Sequence, residues 1–519
     1  MTRPLVPNSL AITWRLALLL LGPVLVPLQA CTDLSENPPS AITPANFYRN
    51  EAEVVSSLAG IYAQLRSTLD DYYNISEIST DEMIVPTRGS DWYDGGQWLE
   101  LHHQTWSAIS PVGNGFGNGA WVVAFTGISR ANALLEALPG LTFASRDTIA
   151  AEVRTLRAFY YYLLMDLFGG VPIVTTTELK QRPRETRDSV FKFIEAELTA
   201  VRPTLPAEWP AAFNGRMTKG AADAILASMY LNAEVFTGTV TTGGLQRGPA
   251  RWQDAIDAAD RVLNSSVYQL ADTFVQAFRS DNATSKENIL VVKFLNRVDL
   301  GLNFVMRSLH YNQFGPPTPW NGFATLAETY NAFDAADVRR NAILAGPQVN
   351  VETNQPVKDR GGAPLVFTTT IAKETDASEG EGARPYKWPI DRQHVEQNNG
   401  NDFAYFRVGE MLLIKAEALN ELGNTGAALI EVNRLRARAF NPDQPVPTGV
   451  SQDSARVLIR NERLFELAFE AKRRQDLIRY GKYGDAWGFK PSSAAHRVLL
   501  PIPQNQMDAN RLLTQNPGY

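Results

Sequence analysis

Apolar residues recur at helical spacing along most of the chain, and that period settles the fold class before anything else does. Val54, Leu58, Ile61 and Leu65 form one stripe. Trp121, Phe125, Ile128, Leu135 and Leu138 form a second, and Val153, Leu156, Tyr160, Leu163 and Leu167 a third. The third stops at Gly169-Gly-Val-Pro172, where glycine takes a left-handed cap and proline blocks continuation. Two more helices are predicted by Ala222, Leu226, Met229 and Ala233 and by Trp252, Ile256, Ala259 and Leu263, paired across a glycine-rich loop at Gly243-Gly244. From Arg407 to Ala439 the pattern is a helical hairpin: Val408, Leu412, Leu419 and Leu422, a turn at Gly423-Asn424, then Ala428, Val432, Leu435 and Ala439. A last long helix is predicted over Asp453 to Tyr480, with Val457, Leu464, Leu467, Ala468 and Leu477 inward and an exposed Glu470 to Arg474 pair.

These stripes predict a predominantly helical chain. Small residues at the helix crossings, Ala416-Glu-Ala418 and Ala427-Ala428, are similar to tetratricopeptide-like helix pairs in degenerate form, without a strict period. With 519 residues and 44% apolar content the chain can build a large core. Two stretches, near 70-119 and 281-406, lack a sustained helical period and are rich in glycine, proline, asparagine and aromatics. Long irregular insertions on a helical scaffold are where function usually sits.

The N-terminus reads as an export signal. Arg3 and Arg15 precede the apolar run Leu16 to Leu28, which is too short and too proline-interrupted, at Pro23 and Pro27, for a permanent span. Leu28-Gln-Ala-Cys31 resembles the bacterial lipobox, and Cys31 is the chain's only cysteine, so no internal disulfide forms. The expected organisation is a signal peptide over 1-30, a polar tether over 31-45 and one folded domain over 46-519. Resemblance to the lipobox implies acylation of Cys31, each buried methylene contributing about 0.8 kcal/mol to anchoring. Lysine and arginine number 49 against 55 acids, a net charge of −6 with no basic cluster. That excludes the electrostatic footprint of nucleic-acid binding.

Arg157-Ala-Phe-Tyr-Tyr-Tyr-Leu-Leu-Met-Asp-Leu-Phe-Gly-Gly-Val-Pro-Ile-Val174 resembles the signature helix of the SusD/RagB family and its exit. Phe406 to Asn420, Asn433 to Arg438, Glu462 to Glu470 and the terminal Gln515-Asn-Pro-Gly-Tyr519 look like the same family in the same order. Ala471-Lys-Arg-Arg-Gln475 departs from it, the family often having glycine, histidine and aromatics there. What the resemblance implies is an all-α, SusD-like fold with few short strands and a lipid-anchored outer-membrane protein facing the cell exterior. It implies capture of an oligosaccharide or polysaccharide and delivery to a SusC-like TonB-dependent transporter, with no enzymatic activity.

Two aromatic loops are the candidate ligand contacts. Asp91-Trp92-Tyr93-Asp94-Gly-Gly-Gln-Trp98 sets aromatics among glycines and polar side chains, a combination that meets both the C–H faces and the hydroxyls of a sugar. Trp320-Asn321 follows a proline-stiffened segment, which lowers the entropy lost on binding. Trp92, Tyr93, Trp98, Trp320 and Asn321 are thus the candidates, and either tryptophan loop also reads as an anchor against the helices. Trp106 reads as core. Gly113 to Gly119 lacks the strand and lysine of a phosphate cradle and is expected as a loop. His102-His103 has no companion ligands, so no metal and no cofactor are expected. The acids Asp70-Asp71, Asp81-Glu82 and Glu379-Gly-Glu381 are expected to face water; paired across a cleft they would make a glycoside hydrolase, the alternative reading. A second alternative is capture of peptide, as the RagB branch suggests.

Overall fold

The computed structural model describes residues 48–519. The 1-30 signal, Cys31 and the 31-45 tether lie outside the described residues. Helix α1 (Glu51–Ser67) starts where the Asn50 side chain accepts the Glu53 N–H at 3.1 Å, with Glu51 and Glu53 favourably placed in the first turn. Its inner face is the stripe Val54, Leu58, Ile61 and Leu65. After α2 (Asp71–Ile78) and α3 (Gln97–His103), α4 (Asn118–Ala137) packs on α1 and on α5 (Arg146–Phe168).

From Thr155 to Phe168 every residue of α5 is buried, as a helix apolar on all sides must be. Its charged members are paired: Arg157 with Glu197 at 2.6 Å and Asp166 with Arg474 at 3.0 Å. Gly169 ends it at φ +72°, where a side chain would be strained. Helix α6 (Arg187–Val201) packs on α5; α7 (Lys219–Leu231) packs on α8 (Trp252–Leu263). Between them Thr239–Thr241 pairs with Gly244–Gln246 as a hairpin. Helix α9 (Val408–Glu421) packs on α8, on α10 (Thr425–Ala439) and on α11 (Gln452–Leu467). The two longest strands, β1 (Asn288–Val292) and β2 (Phe403–Arg407), pair antiparallel, and every residue in both is buried.

Two sequence expectations are corrected. The long helix over 453–480 breaks after Leu467: Phe469 and Ala471 take φ +67° and +60°, and α12 (Arg473–Arg479) starts afresh. The cause is distant in sequence. The Glu82 carboxylate accepts the Phe469 N–H at 3.0 Å and that of Glu77 accepts the Ala471 N–H, holding the corner. Glu470 and Arg474 are consequently buried and apart, not an exposed pair, while Val457 faces solvent. Gly113 to Gly119 is not a loop either. The Asn114 N–H reaches the Ser110 carbonyl at 2.9 Å, and a π-helical turn over Gly113–Gly117 runs into α4.

The corner closes a buried ion network. Arg407 meets Glu287 at 2.7 Å, Glu466 at 2.5 Å and Glu470 at 2.7 Å. Arg438 reaches Glu287 and Glu466, each at 2.6 Å, and Arg339 reaches Glu462 at 2.5 Å. Burial alone would raise the Glu466 carboxyl, but Arg438, Arg407 and Arg339 outweigh it and hold it well below the usual range. Arg407, Arg438, Glu462, Glu466 and Glu470 belong to the signature segments, and with Glu287 and Arg339 they join α9, α10 and α11 to the strand pair.

The two irregular stretches are stitched to each other. Met83–Ile84 pairs antiparallel with Ala324–Thr325. The Thr87 N–H donates to the Glu374 carbonyl at 2.8 Å, and the Ala377 N–H donates to that of Thr87 at 2.9 Å.

Candidate functional site

The Trp92 loop is a tight turn held from below. Arg88 and Asp91 exchange backbone hydrogen bonds at 2.9 and 3.0 Å, and Trp92 and Asp94 sit at φ +63° and +40°, conformations a bulky residue keeps only when its surroundings fix it. The fixing contacts are visible. The Trp92 indole lies flat on Gly322, where an added Cβ would fall 2.3 Å from Cε2, and its Nε1 donates to the Trp320 carbonyl at 2.6 Å. Trp98 packs 5.4 Å from Trp92, both rings stand 5.7 Å from Phe323, and Trp98 Nε1 donates to Asp94 Oδ2 at 2.7 Å.

The loops carrying Trp92, Trp98 and Trp320 therefore meet. Exposure separates their members: Tyr93 is 61% exposed, Trp98 only 7%, and Trp92 and Trp320 are half-buried. Asn321 differs from the expectation of a ligand-facing amide. It is fully buried, its Nδ2 donating to the Glu379 carbonyl and its Oδ1 accepting from Arg384 Nη2, both at 3.1 Å. Trp98 and Asn321 thus hold the loops, while Tyr93 and the open parts of Trp92 and Trp320 remain to meet a ligand.

Beside them lies a polar arm that sequence reasoning missed. Tyr311 donates its hydroxyl to Asp91 Oδ2 at 2.5 Å, across 220 residues of sequence. The Arg360 guanidinium stacks over the Tyr311 ring at 4.1 Å, pairs with Glu379 and approaches Asp91 at 3.6 Å. His310 Nδ1 accepts the Asn312 N–H at 3.2 Å, which leaves Nε2 to donate to Glu379 Oε2 at 2.9 Å. Burial lowers the His310 pKa, consistent with that neutral imidazole. Burial pushes the Tyr311 phenol up to about 12, aided by its bond to Asp91, so it stays a donor. Burial would raise Glu379, but bonds from Arg360 and His310 hold it at about 2, so it stays an anion. Donors and acceptors are thus fixed next to aromatic surface, an arrangement suited to a ligand that alternates C–H faces with hydroxyls.

Most of the acids considered for hydrolysis are engaged, and not all face water. Asp81 accepts from Arg473 at 2.7 Å, Asp70 from Arg307 at 2.7 Å, and Glu381 accepts the Ser378 N–H at 2.8 Å. Glu82 is buried beside Glu77, and burial raises it to about 7; burial likewise raises Asp71 to about 7. His102 is buried, its pKa pushed down to about 4, with its Nδ1 near the Ile78 and Met83 carbonyls. Among the described residues no group of histidine, cysteine, aspartate and glutamate is placed to hold a metal ion. Trp106 is core, its Nε1 donating to the Tyr519 hydroxyl at 2.8 Å.

Comparisons with known proteins agree along the chain. Residues 311–493 match the family described as "SusD family", and residues 38–231 match "Starch-binding associating with outer membrane". The SusD-like protein P25 of Formosa agariphila is 24% identical over 536 residues, covering 94% of this chain and 96% of that protein. The starch-binding protein SusD of Bacteroides thetaiotaomicron is 25% identical, covering 86% and 85%. Surface glycan-binding protein A of the same organism, solved in complex with laminarihexaose, superposes with a TM-score of 0.71 at 20% identity over 90% of this chain and 99% of that one.

Proposed function

Because the chain belongs to the SusD/RagB family, we propose that it is a glycan-binding protein of the bacterial outer membrane that captures oligosaccharide without cleaving it. The observation that carries this reading is the exposed Tyr93 ring beside half-open Trp92 and Trp320 and the fixed Tyr311–Asp91–Arg360 arm. Aromatic surface packs on sugar C–H faces, and preset donors and acceptors take the hydroxyls without being reorganised on binding. A relative named for starch binding and a structural neighbour solved with laminarihexaose support the ligand class. The engagement of Asp81, Glu379 and Glu381 in structural contacts supports binding over hydrolysis.

Further out, the reading is a lipid anchor at Cys31 that holds the domain on the outer surface, where it passes captured glycan to a SusC-like TonB-dependent transporter. The Leu28 to Cys31 motif and the outer-membrane association of the matched family support the anchor. Calorimetric titration with starch, laminarin and other polysaccharides, comparing the native chain with Tyr93→Ala and Tyr311→Ala, tests the site. Binding of at least one glycan, weakened in both variants, is expected. Binding that neither variant disturbs would remove these residues from the site.

A further inference from the structure

A second aromatic platform stands on elements that share no residue with the Tyr93 surface. The segment between α6 and α7 carries Trp209, Phe213 and Arg216. The Arg216 guanidinium lies 3.9 Å from the Trp209 ring and 5.5 Å from that of Phe213, and is itself held by Glu152, with Nε 2.9 Å from Oε2. Trp209 Nε1 donates to the Met217 carbonyl at 2.9 Å. The indole is thus fixed along one edge and stacked on a cation, yet remains half-exposed, and Phe213 beside it is 49% exposed. A ring held this firmly and left open has paid its ordering entropy before any ligand arrives.

The space in front of it is a cleft of about 430 Å³, lined by Trp209 and Tyr268 and by polar groups that include Asn214, Thr218 and Asn288. At Lys293 and Ala283 it meets a neighbouring cleft of about 630 Å³ that runs to Asn296, Arg392 and Gln393. In the Trp209 cleft every basic side chain is neutralised within the protein: Arg216 by Glu152, Lys286 by Glu208 and Lys293 by Asp402. Such a groove gives an acidic polymer no uncompensated charge to bind. It gives a neutral sugar chain aromatic faces, hydroxyls and amides.

We propose that the Trp209–Tyr268 cleft is a second carbohydrate-binding site for a neutral oligosaccharide segment, which lets one protein hold a single polysaccharide chain at two places. The proposal rests on the reading that this protein binds glycans. Two sites on one ligand raise apparent affinity without a new contact at either, typically by about 10-fold or more.

The test is calorimetric titration of the purified chain with laminarihexaose and maltohexaose, together with retardation in gels containing laminarin or starch. It compares the native chain, Phe213→Ala, a Trp209→Ala/Phe213→Ala pair, and Tyr93→Ala/Tyr311→Ala. Two hexasaccharides bound per native chain, one in either double variant, and about 10-fold weaker retardation by polysaccharide in the Trp209/Phe213 variant are expected. Phe213 is a surface ring 6.3 Å from that of Trp209, at the rim of the cleft, so the single variant reports on the rim even where the pair lowers Tm. One hexasaccharide per native chain, with retardation unchanged in Phe213→Ala and in the pair, overturns the second site and leaves the Tyr93 site standing. Failure of the native chain to bind any neutral glycan overturns both.

Discussion

Tyr93 and Tyr311 owe their importance to what their neighbours give up. Trp92 uses its indole N–H on the Trp320 carbonyl and one ring face on Gly322, so the loop's most conspicuous residue is half spent on holding the loop. An aromatic contact is worth about 0.5–1.5 kcal/mol beyond its area, and about 1.4 kcal/mol is tenfold in affinity. Tyr93→Ala and Tyr311→Ala should therefore each weaken glycan binding by about 10-fold in calorimetry, with Tm nearly unchanged for the exposed Tyr93. Gly322→Ala acts from beneath. The new methyl displaces the Trp92 indole, so intrinsic fluorescence should shift to the red and affinity fall, although no ligand contact was altered. The sequence pointed to this surface through residue types, aromatics among glycines, but exposure is not a property of type. Asn321 is turned inward by Arg384 and the Glu379 carbonyl, and Tyr311 is tied to Asp91 across 220 residues, contacts that no local pattern announces.

Helices were legible wherever their stop signals are local. The exit of α5 at Gly169 is an example: glycine and then proline are written into the chain at the point where the helix ends. The corner after α11 has no such signal, because Glu77 and Glu82 supply it from 394 and 387 residues away. These two carboxyls are buried against each other, Glu77 raised well above 4.5 and Glu82 to about 7, with Arg473 pulling Glu82 back down. A carboxyl raised by folding contributes its stability below its unfolded value and loses it as pH climbs through the folded one. Melting temperature should accordingly fall as pH rises from about 4.5 to about 7, and Glu82→Gln, whose amide still accepts from Phe469 and can donate to Glu77, should flatten that slope. Glu466, Glu470 and Asp476 have the opposite sign: depressed by their arginine and lysine partners against burial, they stabilise above the ordinary carboxylate range and lose that stability in acid. Removing one partner of a buried pair leaves a charge stranded, so Glu466→Ala should cost about 3–5 kcal/mol in denaturant unfolding. Smaller losses would mean that the network is solvated.

On the scale of the molecule, two stretches that look irregular in sequence, near 70-119 and 281-406, fold into a joint structure on the helical scaffold. The pairings that join them, Met83–Ile84 with Ala324–Thr325 among them, are non-local, which is why the helical frame could be read from periodicity and the assembly of the site could not. The family assignment rests on the frame, whose buried arginines and glutamates are scaffold residues; in the proposed reading ligand choice belongs to the aromatic loops. Anchoring belongs to this scale too. Cys31→Ala should move the protein from the membrane fraction to the soluble one in a fractionation, and retention in the membrane would count against the lipid anchor. The central claim is capture without cleavage, and it is tested most directly by incubating the purified chain with a panel of polysaccharides while bound ligand and new reducing ends are measured in the same sample. The account predicts saturable binding of at least one neutral glycan with no reducing ends above the protein-free control. Reducing ends that grow with time and protein concentration would contradict it.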